Sequence, residues 1–314
     1  MTRIDAHHHL WRLSTPTDGG HPVEAASATP GPSRRVHDWL DAPGLALVRR
    51  DFTPADLVPE AAAAGVDGTI LVQVLPDAEE TAEFLSLAGT AGLVAGVVGW
   101  AELTADDLTD ALAHLRAGPG GELLVGVRHL VQGEADPGWL NRQDVRRRLG
   151  TVARAGLAYD LLTLPHQLPA AIATVRALPE LTFVLDHLSK PPIARGEREP
   201  WATLIRELAA EPNVFRKLSG MVTEARWRDW TVAGLRPYAD TVLDAFGPSR
   251  VMFGSDWPVC LLASSYQDVV LTAEELTAAL SATERAEVFG GTAARAYRLP
   301  ADLLPAHRPR KEAP

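Results

Sequence analysis

The sequence predicts an α/β protein of the (β/α)8 kind, a TIM barrel, built as a single domain over residues 1–299 with a long loop after strand 1. Three observations predict it. Short runs rich in Val, Ile and Leu alternate along the chain with stretches rich in Ala, Leu and Glu. Eight such runs occur, at 2–8, 69–75, 94–100, 124–130, 157–162, 181–187, 213–219 and 250–255, and after the first they recur about every 25 to 36 residues. That interval holds one strand, one helix and two loops. Finally, a doubly wound open sheet would carry a Gly-rich phosphate turn after strand 1, and His7-His8-His9 stands there instead.

The elements follow in order. Residues 14–35 are rich in Pro, Gly, Ser and Thr and have no periodicity, so they read as the long loop. Residues 77–91 open on Asp77, Glu79 and Glu80, acidic as a helix start favours. Residues 104–116 begin at Thr104 with Asp106 and Asp107 in the first turn. Residues 141–155 start at Asn141 and stop before Gly156. Residues 200–211 lie between Pro200 and Pro212. Residues 264–280 and 283–290 read as closing helices, and 300–314, with four prolines, as a C-terminal tail.

Composition narrows the function classes. Of 314 residues 46 % are hydrophobic and 22 % charged, enough apolar material for a large core. A formal charge of −10 argues against a nucleic-acid partner, because phosphate binding rests on Lys and Arg. Arg146-Arg147-Arg148 reads as a solvated helix face. The single cysteine, Cys260, permits no internal disulfide and no Cys-based zinc site, and reads as a buried inert thiol. The N-terminus lacks the apolar run of a signal peptide, and no stretch approaches the roughly 18 apolar residues of a membrane span. A cytoplasmic protein with no membrane partner is expected; oligomeric state stays open.

In a barrel the chemistry comes from the C-terminal ends of strands. Alternate side chains of a strand share a face. His7 and His9 at the end of strand 1 are therefore expected to point inward and His8 away. At the end of strand 6, His187 is expected inward, in phase with Phe183 and Leu185. On strand 8, Met252 and Gly254 inward put Asp256 inward at the strand end. Three imidazoles and a carboxylate meet at one rim, a set that suits a metal or a developing charge. Gln73 on strand 2 and Arg128 and His129 on strand 4 are candidates for holding substrate hydroxyls or a carboxylate, for which Arg is well shaped. A lysine in an apolar strand is costly unless paired, so Lys217, in phase with Ser219, either reaches out to solvent or faces the site. Glu224 and Trp227 are candidate pocket residues. Trp257, with Trp11, Trp39 and Trp100, is a candidate for stacking on a sugar ring. Lys190 reads as a loop charge. The chain lacks a Gly-x-Ser-x-Gly elbow, a Walker A loop and a Gly-x-Gly-x-x-Gly turn after a strand.

These residues carry a resemblance. Ile4-Asp5-Ala6-His7-His8-His9-Leu10-Trp11 resembles the opening of the amidohydrolase superfamily. Leu185-Asp186-His187-Leu188-Ser189-Lys190-Pro191, Lys217-Leu218-Ser219-Gly220 and Met252-Phe253-Gly254-Ser255-Asp256-Trp257-Pro258 resemble its lactonase branch, whose members act on sugar-acid and 2-pyrone lactones. The resemblance implies hydrolysis of a carboxylic ester or lactone, with Asp256 as the strand-8 Asp that activates water and His7, His9 and His187 as the inward histidines. Metal-using members often bring another ligand from strand 5, a His or a carboxylated Lys. Strand 5 here reads Leu157-Ala158-Tyr159-Asp160-Leu161-Leu162 and has neither; His166 falls in a loop after Pro165. A site that requires no cofactor, or holds a metal loosely, is therefore expected, although His7, His9, His187 and Asp256 could complete a tetrahedral zinc site.

The expected activity is a hydrolase that opens the ester of a small-molecule lactone, a sugar-acid lactone in particular. Asp256 would act as general base and the histidines would stabilise the oxyanion; with zinc, the metal would do both. A carboxyl near its usual value of about 4 is a weak base for this task. Burial would raise it and cationic histidines would lower it. Two alternatives stand beside this reading: a metal-dependent amidohydrolase or decarboxylase on the same barrel, and a barrel that binds a metabolite without turnover.

Overall fold

Runs such as Thr69-Ile70-Leu71-Val72 are apolar on both faces, as a parallel strand must be when helices cover one side and packed side chains fill the other. In the computed structural model, which describes residues 2–14 and 31–300, eight such strands form one parallel sheet in sequence order. They are β1 (Ile4–His8), β2 (Gly68–Val72), β3 (Val94–Gly99), β4 (Leu124–His129), β5 (Ala158–Leu161), β6 (Phe183–Leu185), β7 (Val214–Leu218) and β8 (Val251–Phe253). The ring closes where His8 bridges Trp257 in parallel. There the His9 N–H donates to Trp257 O at 2.7 Å and the Asp256 N–H donates to His7 O at 2.8 Å. The result is the expected (β/α)8 barrel.

Helices α1 (Pro54–Ala63), α2 (Ala78–Ala91), α3 (Leu108–Ala117), α4 (Gln143–Arg154), α5 (Leu168–Ala177), α6 (Trp201–Ala209), α7 (Val232–Phe246) and α8 (Tyr266–Leu276) surround the sheet. Their ends are set by local chemistry. The Asp77 carboxylate accepts from the Glu79 N–H at 2.8 Å, and α2 stops at Gly92 with φ 67°. The Ser265 hydroxyl accepts from the Asp268 N–H at the start of α8. α3 starts later than expected, after Asp107, because Leu108 is the first residue to bury against the sheet. The expected 283–290 helix is a short helix, Ala282–Ala286, followed by a wider turn, Glu287–Gly291.

Helices α1, α5 and α7 are not among the expected helices. Their prolines (Pro59, Pro169 and Pro237) and Gly234 read as breakers. Tertiary burial of Leu57 and Ala61, of Ile172 and Val175, and of Leu235, Tyr238 and Val242 overrides that signal.

Two apolar layers result. Leu71, Phe84, Phe183, Leu185 and Phe253 fill the space between sheet and helices. Ile4, Ala6, Ile70, Val72, Val184 and Met252 fill the barrel, with Ala293, Ala296, Tyr297 and Leu299 from the helix Thr292–Ala296 and its exit packed among them. The segment before that helix lies against Thr2, so it forms the floor and leaves the C-terminal ends of the strands as the mouth. After β1 a two-residue ribbon pairs Arg12–Leu13 with Arg34–Arg35. Residues 15–30 of the expected 14–35 loop, and 301–314 of the expected tail, lie outside the described residues. Among the described residues no helix is long and apolar enough to cross a membrane.

Candidate active site

Each functional side chain reaches the mouth through a departure from regular strand geometry. In β1 strict alternation would align Asp5 with His7. Instead Ile4 and Ala6 fill the barrel, and the register shifts between Asp5 and His8. Asp5 turns toward α8, accepting from Tyr266 OH at 3.0 Å, the Ser255 N–H at 2.8 Å and the His7 N–H at 3.1 Å. The irregularity re-aims the strand end, and His7 and His9 meet at the mouth, their Nε2 atoms 3.1 Å apart. His8 points away, as expected; neither ring nitrogen has a hydrogen-bond partner among the described residues.

The phase expected for β6 is corrected. Phe183 and Leu185 face the helices, whereas Val184 faces the barrel. Asp186 is therefore the inward residue. His187 still arrives at the site, because the chain leaves the strand in a left-handed turn: His187, Leu188, Ser189 and Lys190 have φ of 47°, 56°, 56° and 49°. Non-glycine residues resist this conformation by roughly 1–2 kcal/mol each. The turn is held by burial of Leu188, by the Ser189 hydroxyl bonded to Thr163 Oγ1 at 2.8 Å, and by Trp201 Nε1, which donates to Leu188 O at 2.6 Å. His187 Nδ1 bonds the Ser219 hydroxyl at 2.9 Å. Gly220, at φ 66°, leaves room for the ring; a Cβ there would lie 2.7 Å from His187 Nδ1.

On β8, Met252 faces inward as expected. A Cβ on Gly254 would sit 2.9 Å from His7 Cβ. Asp256, at φ 59°, places Oδ1 at 3.9 Å from His7 Nε2, 3.8 Å from His9 Nε2 and 3.7 Å from His187 Nε2. The four residues predicted to converge do so.

Burial sets their protonation. His187 is pulled down to about 3 by burial. Burial lowers His7 and His9 well below the usual range, with Lys217 adding to the effect on His7 and Arg128 on His9. Three neutral imidazoles thus surround the carboxylate. Asp256 itself is pushed up to about 7: burial raises it, and Lys190 and Arg128 offset only part of that effect.

The expected substrate-binding residues divide. Arg128 is committed internally, donating to Asp186 Oδ2 at 3.0 Å, to Gln73 O at 2.6 Å and to Gln73 Oε1 at 3.2 Å; Gln73 is buried with it. Lys217 does not reach solvent. Its Nζ lies 2.5 Å from Asp160 Oδ2, 2.9 Å from Asp186 Oδ1 and 3.1 Å from His7 Nδ1. His129 stands at the rim, stacked on Trp139 at 4.2 Å with Nε2 2.6 Å from Glu134. Glu224 is half-buried, 4.0 Å from Lys190 Nζ. Trp257 is a correction: it packs edge-on to Phe52 in the layer between sheet and helices and presents no face to a sugar.

Sequence reasoning missed Asp160, Asp186, Ser219 and Lys190. Asp160 shares a face with Ala158, which fills the barrel, so a carboxylate in phase with an inward alanine was the available signal. Its carboxyl is pushed up to about 6 by burial, against the pull of Lys217. Asp186 is held well below the carboxylate range: burial would raise it, but the charges of Lys217 and Arg128 prevail.

The donor set fits a divalent metal. Ligand atoms around tetrahedral zinc sit about 3.3 Å apart; His7 Nε2 and His9 Nε2 lie 3.1 Å apart, and Asp256 Oδ1 lies 3.9 and 3.8 Å from them. Donor atoms of His7, His9 and Asp256 lie within 4.8 Å of one another, as do those of His7, Asp186 and His187.

This (β/α)8 barrel, its mouth gathering three imidazoles around one buried carboxylate, is a hydrolase of carboxylic esters. The chain belongs to the amidohydrolase family, whose model matches residues 4–299. It is 39 % identical over 309 residues to L-fucono-1,5-lactonase of Burkholderia multivorans (strain ATCC 17616 / 249), covering 95 % of this chain and 96 % of that one. It is 38 % identical over 301 residues to L-fucono-1,5-lactonase of Burkholderia ambifaria, with the same coverage. A crystal structure of an amidohydrolase from Burkholderia multivorans with bound zinc aligns with a TM-score of 0.84 at 37 % identity, over 96 % of this chain and 100 % of that one.

Proposed function

We propose that this protein hydrolyses a sugar-acid lactone at the barrel mouth, and that residues 1–299 form its one catalytic domain. The observation that carries the reading is the position of Asp256, with Oδ1 within 3.7 to 3.9 Å of three imidazole Nε2 atoms. A general base works best when its affinity for protons matches the working pH, and Asp256 sits at about 7. Asp256 takes a proton from water, the water oxygen attacks the ring carbonyl, and the proton passes to the departing ring oxygen. His187, steadied by the Ser219 hydroxyl, stabilises the oxyanion. His129 and Glu224, the rim groups least committed to the interior, bind substrate hydroxyls. Two relatives named L-fucono-1,5-lactonase, aligned over 95 % of this chain, support this substrate class.

A divalent ion, where present, would be held by His7, His9 and Asp256, whose donor atoms lie within 4.8 Å of one another, with His187 beside Asp256, and would supply Lewis acidity and a more acidic bound water. A relative at 37 % identity crystallised with bound zinc supports a metal-binding reading. We read the location as cytoplasmic, in keeping with a single buried thiol, Cys260.

The test is hydrolysis of a panel of sugar-acid lactones, read with a pH indicator, by wild type and Asp256→Asn. Wild-type hydrolysis that disappears in the variant is expected. A wild type inactive on the whole panel removes the lactonase reading; a variant within a few-fold of wild type removes Asp256 from the mechanism. Stoichiometric metal in the purified protein, with activity abolished by a chelator, would favour the metal-dependent form.

A further inference from the structure

Beneath the mouth lie four charged side chains with almost no exposure: Asp160, Asp186, Arg128 and Lys217. They balance in sign and pair closely, Lys217 with both carboxylates and Arg128 with Asp186. Tyr297 OH donates to Asp160 at 2.8 and 3.0 Å from the barrel floor. The group reaches the reacting centre most closely at His7 Nδ1, 3.1 Å from Lys217 Nζ.

The proton positions around His7 can be worked out from its neighbours. His9 Nδ1 lies 2.8 Å from Val72 O. A carbonyl only accepts, so neutral His9 carries its proton on Nδ1 and offers a lone pair at Nε2. That lone pair faces His7 Nε2 at 3.1 Å, and the contact is satisfied only if His7 is protonated at Nε2. His7 Nδ1 is then an acceptor, and Lys217 Nζ is the donor beside it. Each donor meets an acceptor: Lys217 to His7, His7 to His9, His9 to Val72 O.

The other tautomer would set an N–H against the ammonium and two lone pairs against each other. Its compensations are weaker. Arg128 reaches His7 Nε2 only at 3.4 Å. Asp186 Oδ1 lies 3.3 Å from Nδ1, but the Lys217 ammonium is nearer to that oxygen, at 2.9 Å. A cation between the two Nε2 atoms would reverse the balance, because a ligating nitrogen must carry its lone pair.

We propose that Lys217 is a positioning residue: it fixes His7 as the Nε2–H tautomer, making that imidazole a hydrogen-bond donor at the reacting centre and opposing its use as a metal ligand. Asp160 and Tyr297 hold the lysine in place. This deepens the function proposed above in its catalytic consequence, while the tautomer itself is independent of the substrate.

The test uses the full chain labelled with 15N-histidine and freed of metal by a chelator. Lys217→Met alone would leave a buried carboxylate without its partner. The comparison is therefore with Lys217→Met/Asp160→Asn, which removes one charge of each sign and leaves the Tyr297 hydroxyl an amide oxygen to donate to. Long-range 1H–15N spectra, with His7 signals identified by their loss in His7→Gln, report the tautomer. We expect Nε2–H in wild type and Nδ1–H in the double variant. We also expect zinc affinity, measured by competition with a chromophoric chelator, to rise about tenfold or more, and kcat on a lactone to fall about tenfold or more with KM within about threefold. An Nδ1–H His7 in wild type, or the same tautomer in both proteins, overturns the proposal, as does unchanged zinc affinity. The wild-type spectrum decides the tautomer even if the double variant fails to fold. A wild type with no lactonase activity would overturn the proposed function and leave the spectrum to judge Lys217 separately.

Discussion

Replacing Asp256 with Asn is expected to abolish turnover and, at neutral pH and above, to stabilise the fold. The carboxyl is raised from 3.8 to about 7, first by burial, in a residue only 4 % exposed. That is about a thousandfold in proton affinity, or about 4 kcal/mol at roughly 1.4 kcal/mol per tenfold. The sign follows from linkage: the folded state holds this proton more tightly than the unfolded chain. The stabilisation it gives is complete below about pH 4, declines as pH rises, and is gone above about 7. Asn keeps the shape and has no proton to lose. The gap between variant and wild type should therefore grow by about 2–3 kcal/mol between pH 5 and pH 8, and thermal midpoints at pH 8 should differ by roughly 5–10 °C. Urea and thermal unfolding of chelator-treated proteins at the two pH values would measure it. A variant no more stable than wild type at pH 8, with no pH-dependent gap, would refute the view that this carboxylate is held ionised against its environment.

Other consequences can be checked separately. Because the base must be ionised, kcat/KM should rise with pH to a plateau with a midpoint near about 7. Lys190→Met, which removes a cation that lowers Asp256, should move that midpoint to higher pH, and Glu224→Gln to lower pH; midpoints unmoved in both would remove the rim charges from the electrostatics. Gly220→Ala should cut turnover by about 10- to 100-fold, since the methyl meets His187 Nδ1 at 2.7 Å at a residue with φ 66°; wild-type kinetics in a folded variant would show that the ring has room to move. Tyr297→Phe takes away the hydroxyl bonded to Asp160 and should lower stability by about 1–3 kcal/mol in urea unfolding; an unchanged midpoint would mean that Lys217 alone satisfies Asp160.

The barrel and its four converging residues were legible because ring closure makes the first and last strands neighbours, whatever the loops do. The geometry that places them was less so. Alternation in phase with Phe183 and Leu185 predicts His187 inward, yet the inward phase is that of Val184 and Asp186, and His187 arrives through a left-handed turn. Nothing in Asp186-His187-Leu188-Ser189-Lys190 announces such a turn, because none of these residues is Gly or Asn; packing of Leu188 and the bonds of Ser189 and Trp201 impose it. Asp160 is not legible in strand 5 alone, because its importance depends on Lys217, a residue two strands away. The proline-bearing helices α1, α5 and α7 were hidden for a related reason: local breakers are visible in a sequence, whereas the tertiary burial that overrules them is not.

The seam where His8 meets Trp257 gives this protein an internal order of events. Two of the imidazoles come from the strand that leaves the ribosome first and the carboxylate from the one that leaves last among the eight. Until the eighth strand docks, a nascent chain carries histidines facing no partner and cannot attack an ester. On the proposed mechanism, catalytic competence reports completion of the ring, and a protein halted short of residue 256 would be inert however well its earlier strands had paired.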